Sequence, residues 1–192
     1  MPIALFVLGL AGSGKTRFSK EFIKSRIKKK EPWCLIDKDT TGEILSNELM
    51  ISYGLNPNDR DSPEYKKRVR DLEYKTALKI AKEQLKLNIN VILPAPWTKE
   101  LETGEIFDYK KLGFPKNTKI KHVYMESNVE QIKERIILRN KPRDKWKLNN
   151  WEVYSQSLVE PKVIEDKNIL KVNKEYEIEL ISKKILNPIF NY

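Results

Sequence analysis

Residues 9–16 read GLAGSGKT, directly behind the apolar run IALFVL at residues 3–8 and ahead of an amphipathic stretch. The spacing G-x-x-x-x-G-K-T between a strand and a helix specifies a phosphate-binding loop. Gly9, Gly12 and Gly14 let the backbone wrap closely around anionic oxygens, so that its N–H groups and the helix N-terminus meet negative charge. Ala11 and Ser13 belong to the same cradle. Lys15 is then placed to reach the β- and γ-phosphates of a nucleotide triphosphate, and the Thr16 hydroxyl to bind Mg2+. Holding a triphosphate does not by itself say what is done with it.

Outward from this loop, apolar runs of strand length alternate with longer segments of helical periodicity, the pattern of an α/β fold with a parallel sheet. The runs predict strands at 3–8, 33–36, 91–93, 121–125 and 169–172, and helices near 15–28, 41–53, 64–87, 128–140, 149–160 and 175–186. In the third helix Tyr65, Val69 and Leu72, and then Ala77 with Ile80 and Ala81, recur at steps of three or four within each set and predict its buried face. Asp61-Ser62-Pro63-Glu64 supplies its start, with capping residues ahead of a proline in the first turn.

A chain of 192 residues, 40% of them hydrophobic, is long enough for one full core and short for two, so residues 1–192 are expected to form a single domain. The formal net charge of +10 favours anionic partners. Much of that charge is expected to be solvated surface, and the run KSRIKKK at 24–30 falls where cations complement a helix C-terminus. The lone Cys34 excludes an intramolecular disulfide and reads as a core filler. IALFVLGLAG is too short to span a bilayer and has no basic leader, so neither anchor nor signal peptide is expected, and the expected compartment is the cytoplasm.

Three further stretches bear on chemistry. LIDKDTT places Asp37 and Asp39 at the carboxyl end of the second strand, where an extended backbone would point both carboxylates the same way. One could take a proton from an attacking hydroxyl while the other steadies the metal; the competing role is a helix cap, with Asp39 ahead of Thr40 and Thr41. ERIILRNKPRDKWKL sets Arg135 and Arg139 on one helix face, ends the helix at Pro142 and puts Arg143 on a loop. Such guanidinium groups suit a lid over phosphates, against ordinary pairing with Glu130, Glu134 or Asp144. VILPAPW, finally, ends the third strand in Pro94, with no carboxylate for a metal. The segment from Pro94 to Asn117 is long for a plain connection and reads as a lid or binding loop. Its Trp97, Phe107 and Tyr109 are candidates for the wall of a substrate pocket, with packing against their own domain the alternative. Glu126 and His122 read as a surface carboxylate and a residue at the start of a strand.

GLAGSGKT, the aspartate pair and VYMESNVEQIKERIILRNKPRD together resemble the small P-loop kinases grouped around gluconate kinase, chloramphenicol phosphotransferase, zeta toxin and the polynucleotide 5′-kinase domain, AAA-type ATP-binding proteins. The resemblance spans nearly the whole chain and is weakest in the substrate region. It implies a P-loop NTPase three-layer sandwich: a five-stranded parallel sheet of order 2-3-1-4-5, helices on both faces and an arginine-containing lid. It also implies transfer of the γ-phosphoryl group of ATP, with Mg2+, to a hydroxyl. The family's base is an aspartate just past the second strand, which matches Asp39 best and Asp37 next. The lid arginines match Arg139 and Arg143, with Arg135 on the approach helix, and adenine is expected near Val172, Asn173 and Lys174. The resemblance thus makes Lys15, Asp37, Asp39, Arg139 and Arg143 the catalytic candidates. Arg135, Arg139 and Asn173 join the loop as nucleotide contacts, and Thr16 and Asp37 are the metal candidates. Many relatives carry an aspartate where Pro94 stands; Asp37 is an extra acid able to take over that duty, so the reading is relocation rather than inactivity.

Three functions fit. The first is a kinase for a small hydroxylated molecule such as a sugar, nucleoside, nucleotide sugar or antibiotic. The second is a polynucleotide 5′-hydroxyl kinase, to which the basic balance lends mild support, although no aromatic and basic binding stripe is visible. The third is a nucleotide-binding regulatory protein without kinase activity. The acceptor pocket is expected from Leu55 to Pro63 and from the segment after Pro94.

Overall fold

The computed structural model describes residues 1–161, 168–173 and 175–187. Five parallel strands form one sheet: β1 (Ile3–Leu8), β2 (Trp33–Leu35), β3 (Asn90–Pro94), β4 (Lys119–Met125) and β5 (Ile169–Val172). Their order is β2-β3-β1-β4-β5, with β1 central. That order puts the carboxyl ends of β1, β2 and β3 side by side, where open α/β sheets collect their ligands.

Side chains alternate across β1. Ala4, Phe6 and Leu8 enter one core with Tyr74, Ala77, Ala81, Val91 and Leu93, while Leu5 and Val7 enter another with Phe18, Phe22, Ile92 and Val123. Both faces are therefore covered, which is why the central strand reads as a continuous apolar run. The first core lies under α4 (Asp71–Lys86) and the second under α1 (Lys15–Ile27) and α9 (Ile178–Leu186).

The predicted helices are present with shifted bounds. Helix α2 runs Lys38–Ser52, starting ahead of the expected residue 41, because Asp37 rather than Asp39 is its N-cap: the Asp37 carboxylate accepts the Asp39 N–H at 3.0 Å. Helix α6 covers Val129–Arg139, and the helix expected at 149–160 is shortened to α8 (Trp151–Gln156), preceded by a short helix α7 (Lys145–Asn149) that the periodicity did not predict.

The long third helix departs from a regular rod. It opens as α3 (Pro63–Tyr65), capped by the Ser62 hydroxyl, passes through a π turn at Lys66–Arg70 and continues as α4. The wider turn advances the buried stripe by one residue. Leu72, expected on the buried face, is 48% exposed, and Glu73 takes its place.

The segment after β3 is a core cover, not a free lid. Trp97 is 1% exposed, contacts Phe6 and Tyr74 edge-to-face, and donates its indole N–H to the Leu93 carbonyl at 3.0 Å. Leu101 of α5 (Thr98–Glu102), Ile106, Leu112 and Phe114 are buried in the same core. His122 is buried too, stacked on Phe6 and bonded through Nε2 to the Ile106 carbonyl. In the run KSRIKKK, Lys24 and Arg26 fall in the last turn of α1 as expected, and Arg26 is in addition buried and paired with Glu179 and Glu31. Among the described residues, no helix is long and apolar enough to cross a membrane.

Candidate active site

The loop between β1 and α1 has the strained geometry that its glycines anticipate. Gly9, Gly12 and Gly14 have φ of 133°, 85° and 96°. At Gly9 a Cβ would lie 2.7 Å from Ser13 Oγ and 2.8 Å from the Met125 carbonyl, so a larger residue neither fits nor relaxes there. The first turn of α1 carries no acidic residue, which leaves its positive end open to an anion. Lys15 folds back over the loop, donating to the carbonyls of Gly9 at 2.8 Å and Leu10 at 2.6 Å. Burial brings its pKa down to about 7, with Asp39 working against that shift and Arg139 adding to it.

At the end of β2, the Thr16 hydroxyl donates to Asp37 Oδ2 at 3.0 Å, so the two metal candidates are already neighbours. Burial, followed by the charge of Asp39, raises the Asp37 carboxyl above the usual range. Asp39 is held by two cations, Lys38 at 2.6 Å and Arg143 at 2.7 Å. Burial alone would raise its pKa, but Lys38 and Arg143 outweigh it and keep the carboxyl well below the usual range. The two aspartates do not share a direction by strand alternation, since Asp39 lies inside α2; they nevertheless line one cavity.

That cavity, about 1020 Å³, runs from the phosphate loop past Arg139 and Arg143 to Lys147. Ala11, Gly12, Ser13, Gly14, Lys15 and Thr16 line one end, joined by Asp37, Asp39, Arg135, Arg139 and Arg143; Gly9 lies just behind, where its carbonyl holds Lys15. Arg135 donates to the Gly12 carbonyl at 3.3 Å and to Ser127 Oγ at 2.8 Å, which ties the approach helix to the loop. Arg139 is in a bidentate pair with the buried Asp144 at 2.5 and 2.6 Å, the competing partner that its spacing allowed. Pro94, Ala95 and Pro96 border the cavity where a strand-end carboxylate was missed, whereas Trp97, Phe107 and Tyr109 do not reach it. Those aromatics are spent on the core. Asn173 lies in a separate shallow hollow with Glu126 and Gln131, and its Oδ1 accepts the Glu175 N–H at 3.2 Å. Lys174, expected beside it, lies outside the described residues.

The sequence reading missed the residues that organise the far end. Lys38 bridges Asp39 to Glu73 at 3.0 Å; Glu73 also accepts from the Tyr65 hydroxyl at 2.5 Å and lies 3.7 Å from Arg60. Lys147 of α7 crosses to Asp61 at 3.3 Å. One signal was available for Glu73: it occupies the step of four between Val69 and Ala77. Preference for an apolar residue selected Leu72 instead.

The sequence model for an AAA domain matches residues 5–161. The chain belongs to that AAA domain family. No curated protein matches it. Among solved structures it is similar to Mycobacterium tuberculosis APS kinase in complex with AMPPNP and APS, at 15% identity and a TM-score of 0.63, covering 96% of this chain and 95% of the other. It is also similar to a sugar kinase from Janibacter sp. HTCC2649 at 14% identity and TM-score 0.56, covering 96% and 92%. A gluconokinase from Sinorhizobium meliloti 1021 matches at 15% identity and TM-score 0.52, covering 96% and 90%. At these identities the likeness establishes the P-loop fold, in agreement with the small P-loop kinase resemblance of the sequence.

Proposed function

We propose that this AAA domain protein is an ATP-dependent kinase that moves the γ-phosphoryl group to a hydroxyl of a small-molecule acceptor. One observation carries the reading. Asp39, an ionised carboxylate fixed by Lys38 and Arg143, borders the same cavity as the phosphate loop and Lys15, with Thr16 and Asp37 bonded between them. The similarity to APS kinase, gluconokinase and sugar kinase folds agrees with it.

In this reading the loop amides and Lys15 hold the β- and γ-phosphates. The acceptor oxygen forms its bond to the γ-phosphorus as the bond to the β,γ-bridging oxygen breaks, and the hydroxyl proton passes to Asp39. Because such transition states are loose, a weakly basic carboxylate suffices. Arg143 turns from Asp39 to the transferring group, and Arg139 supports it. No group of three acidic, histidine or cysteine side chains able to hold a metal exists among the described residues. Thr16 Oγ1 and Asp37 Oδ2 do converge within 3.0 Å, and two hard oxygens fit Mg2+, which takes its other ligands from phosphate and water. Bound there, Mg2+ would neutralise charge on the β- and γ-oxygens. Relocation of the carboxylate from β3 to Asp37 belongs to the same proposal. The 1–192 stretch acting as one domain, Asn173 beside adenine and a cytoplasmic setting remain part of it as well.

The test is ATP consumption across a panel of small alcohols, comparing the native chain with Asp39→Asn. One alcohol should raise turnover, and the substitution should lower kcat by about 100-fold or more with nucleotide affinity retained. Oligonucleotide 5′-phosphorylation with steep salt dependence would replace the reading by a polynucleotide kinase. Tight ATP binding without turnover on any acceptor would replace it by a nucleotide-binding regulator.

A further inference from the structure

The far end of the cavity has a consistent electrostatic construction. Arg60, Lys66, Arg70 and Lys99 line it, while most of the carboxylates that hold them stand outside the lining. Arg70 makes a bidentate pair with the buried Glu100 at 3.2 and 3.3 Å, a bond to Asp71 at 2.8 Å, and stacks 4.0 Å above the Tyr74 ring. Arg60 stacks over Tyr65 at 5.4 Å, is fixed by the carbonyls of Pro57 and Asp59, and has Glu73 behind it. Lys99 is paired with Asp71 at 2.5 Å, and Lys66 is exposed. Glu73, Glu100 and Asp71 do not face the cavity; Asp61 and Glu102 are the acids that do at this end. Arg60 and Arg70, fixed from behind by their counter-charges and neighbours, form the preorganised part of a receptor for an anion, since little of their side-chain freedom is lost on binding, and the exposed Lys66 and Lys99 add charge at its rim.

Resting on the kinase reading above, we propose that the acceptor carries a phosphate or sulfate group remote from its reacting hydroxyl, received by Arg60, Lys66, Arg70 and Lys99. The lid defines the size of this acceptor. Lys147–Asp61 spans the cavity, and Arg143 lines it whether paired with Asp39 or turned to the transferring group, which encloses a small molecule and obstructs a polymer chain.

The experiment fills the phosphate loop first. Full-length 15N-labelled protein is titrated with AMPPNP and Mg2+, and the loaded protein then with inorganic phosphate, following amide shifts. The expected result is saturable phosphate binding that perturbs residues 60–70 and 99. In the Lys66→Gln/Lys99→Gln double variant, which alters exposed side chains only, the Kd should rise about tenfold, the equivalent of roughly 1.4 kcal/mol. AMPPNP binding followed by no phosphate binding, or by binding that the double variant leaves unchanged, overturns this inference alone. Failure to bind AMPPNP overturns the nucleotide reading and the inference with it. A 5′-hydroxyl oligonucleotide that binds the loaded protein and is displaced by phosphate would overturn the assignment to a small acceptor.

Discussion

Single residues with no tolerance for change mark the site. Gly9 is one, because an added Cβ meets the Met125 carbonyl, a backbone atom held in β4. Gly9→Ala should cost about 2 kcal/mol of stability and weaken AMPPNP binding, measured by denaturant unfolding and by titration of the analogue. Glu73 is another. It is 3% exposed and is shared by Lys38, Arg60 and the Tyr65 hydroxyl, so Glu73→Leu should cost about 3–5 kcal/mol by removing the buried carboxylate from all three, with Glu73→Gln intermediate in the same unfolding assay. At this scale the phosphate loop was legible because glycine spacing and a following lysine have one dominant structural meaning. The roles of Asp37 and Asp39 were legible only as a pair. Which one caps the helix and which one meets Arg143 depends on where α2 begins and on a partner 104 positions away in sequence, counted from Asp39 to Arg143.

At the level of elements, the π turn at Lys66–Arg70 is what turns Tyr65 and Glu73 toward each other. Deleting the exposed Lys67 should convert it to a regular turn and rotate α3 away, with a marked loss of stability. Lys67→Ala, by contrast, should remain within about 0.5 kcal/mol of the native chain. Thermal melts of the two variants separate register from side chain. The segment after β3 is equally open to test. Trp97→Ala should cost about 3–5 kcal/mol in unfolding, whereas a substrate-wall role would alter acceptor affinity at unchanged stability. The segment read as a loop because its apolar residues have neither helical nor strand period; burial reveals them as anchors for α5 and the turns that follow.

For the molecule as a whole, burial of polar groups beside the cavity sets an upper pH limit. Burial raises the Tyr74 hydroxyl to about 12, with Lys38 and Arg70 opposing, and raises Tyr65 and Tyr154 as well. An unfolded tyrosine ionises near 10. The folded state therefore retains protons that the unfolded state gives up between pH 10 and 12. The contribution is complete below pH 10 and is lost as pH rises toward 12, worth roughly 3 kcal/mol for Tyr74. Absorbance at 295 nm should show phenolate from these tyrosines only together with the loss of near-ultraviolet circular dichroism.

The sequence by itself determined the α/β class, five strands to within two residues at either end, and the anion cradle, since each rests on local periodicity or on backbone conformations open to glycine alone. Tertiary structure decided the rest. It fixed the exchange of Leu72 for Glu73, the diversion of Trp97 into the core, and the cationic far wall of the cavity. Those outcomes come from contacts between segments far apart in the chain, where one carboxylate can satisfy several distant cations; the step of four at Glu73 marks its helix face but not its partners.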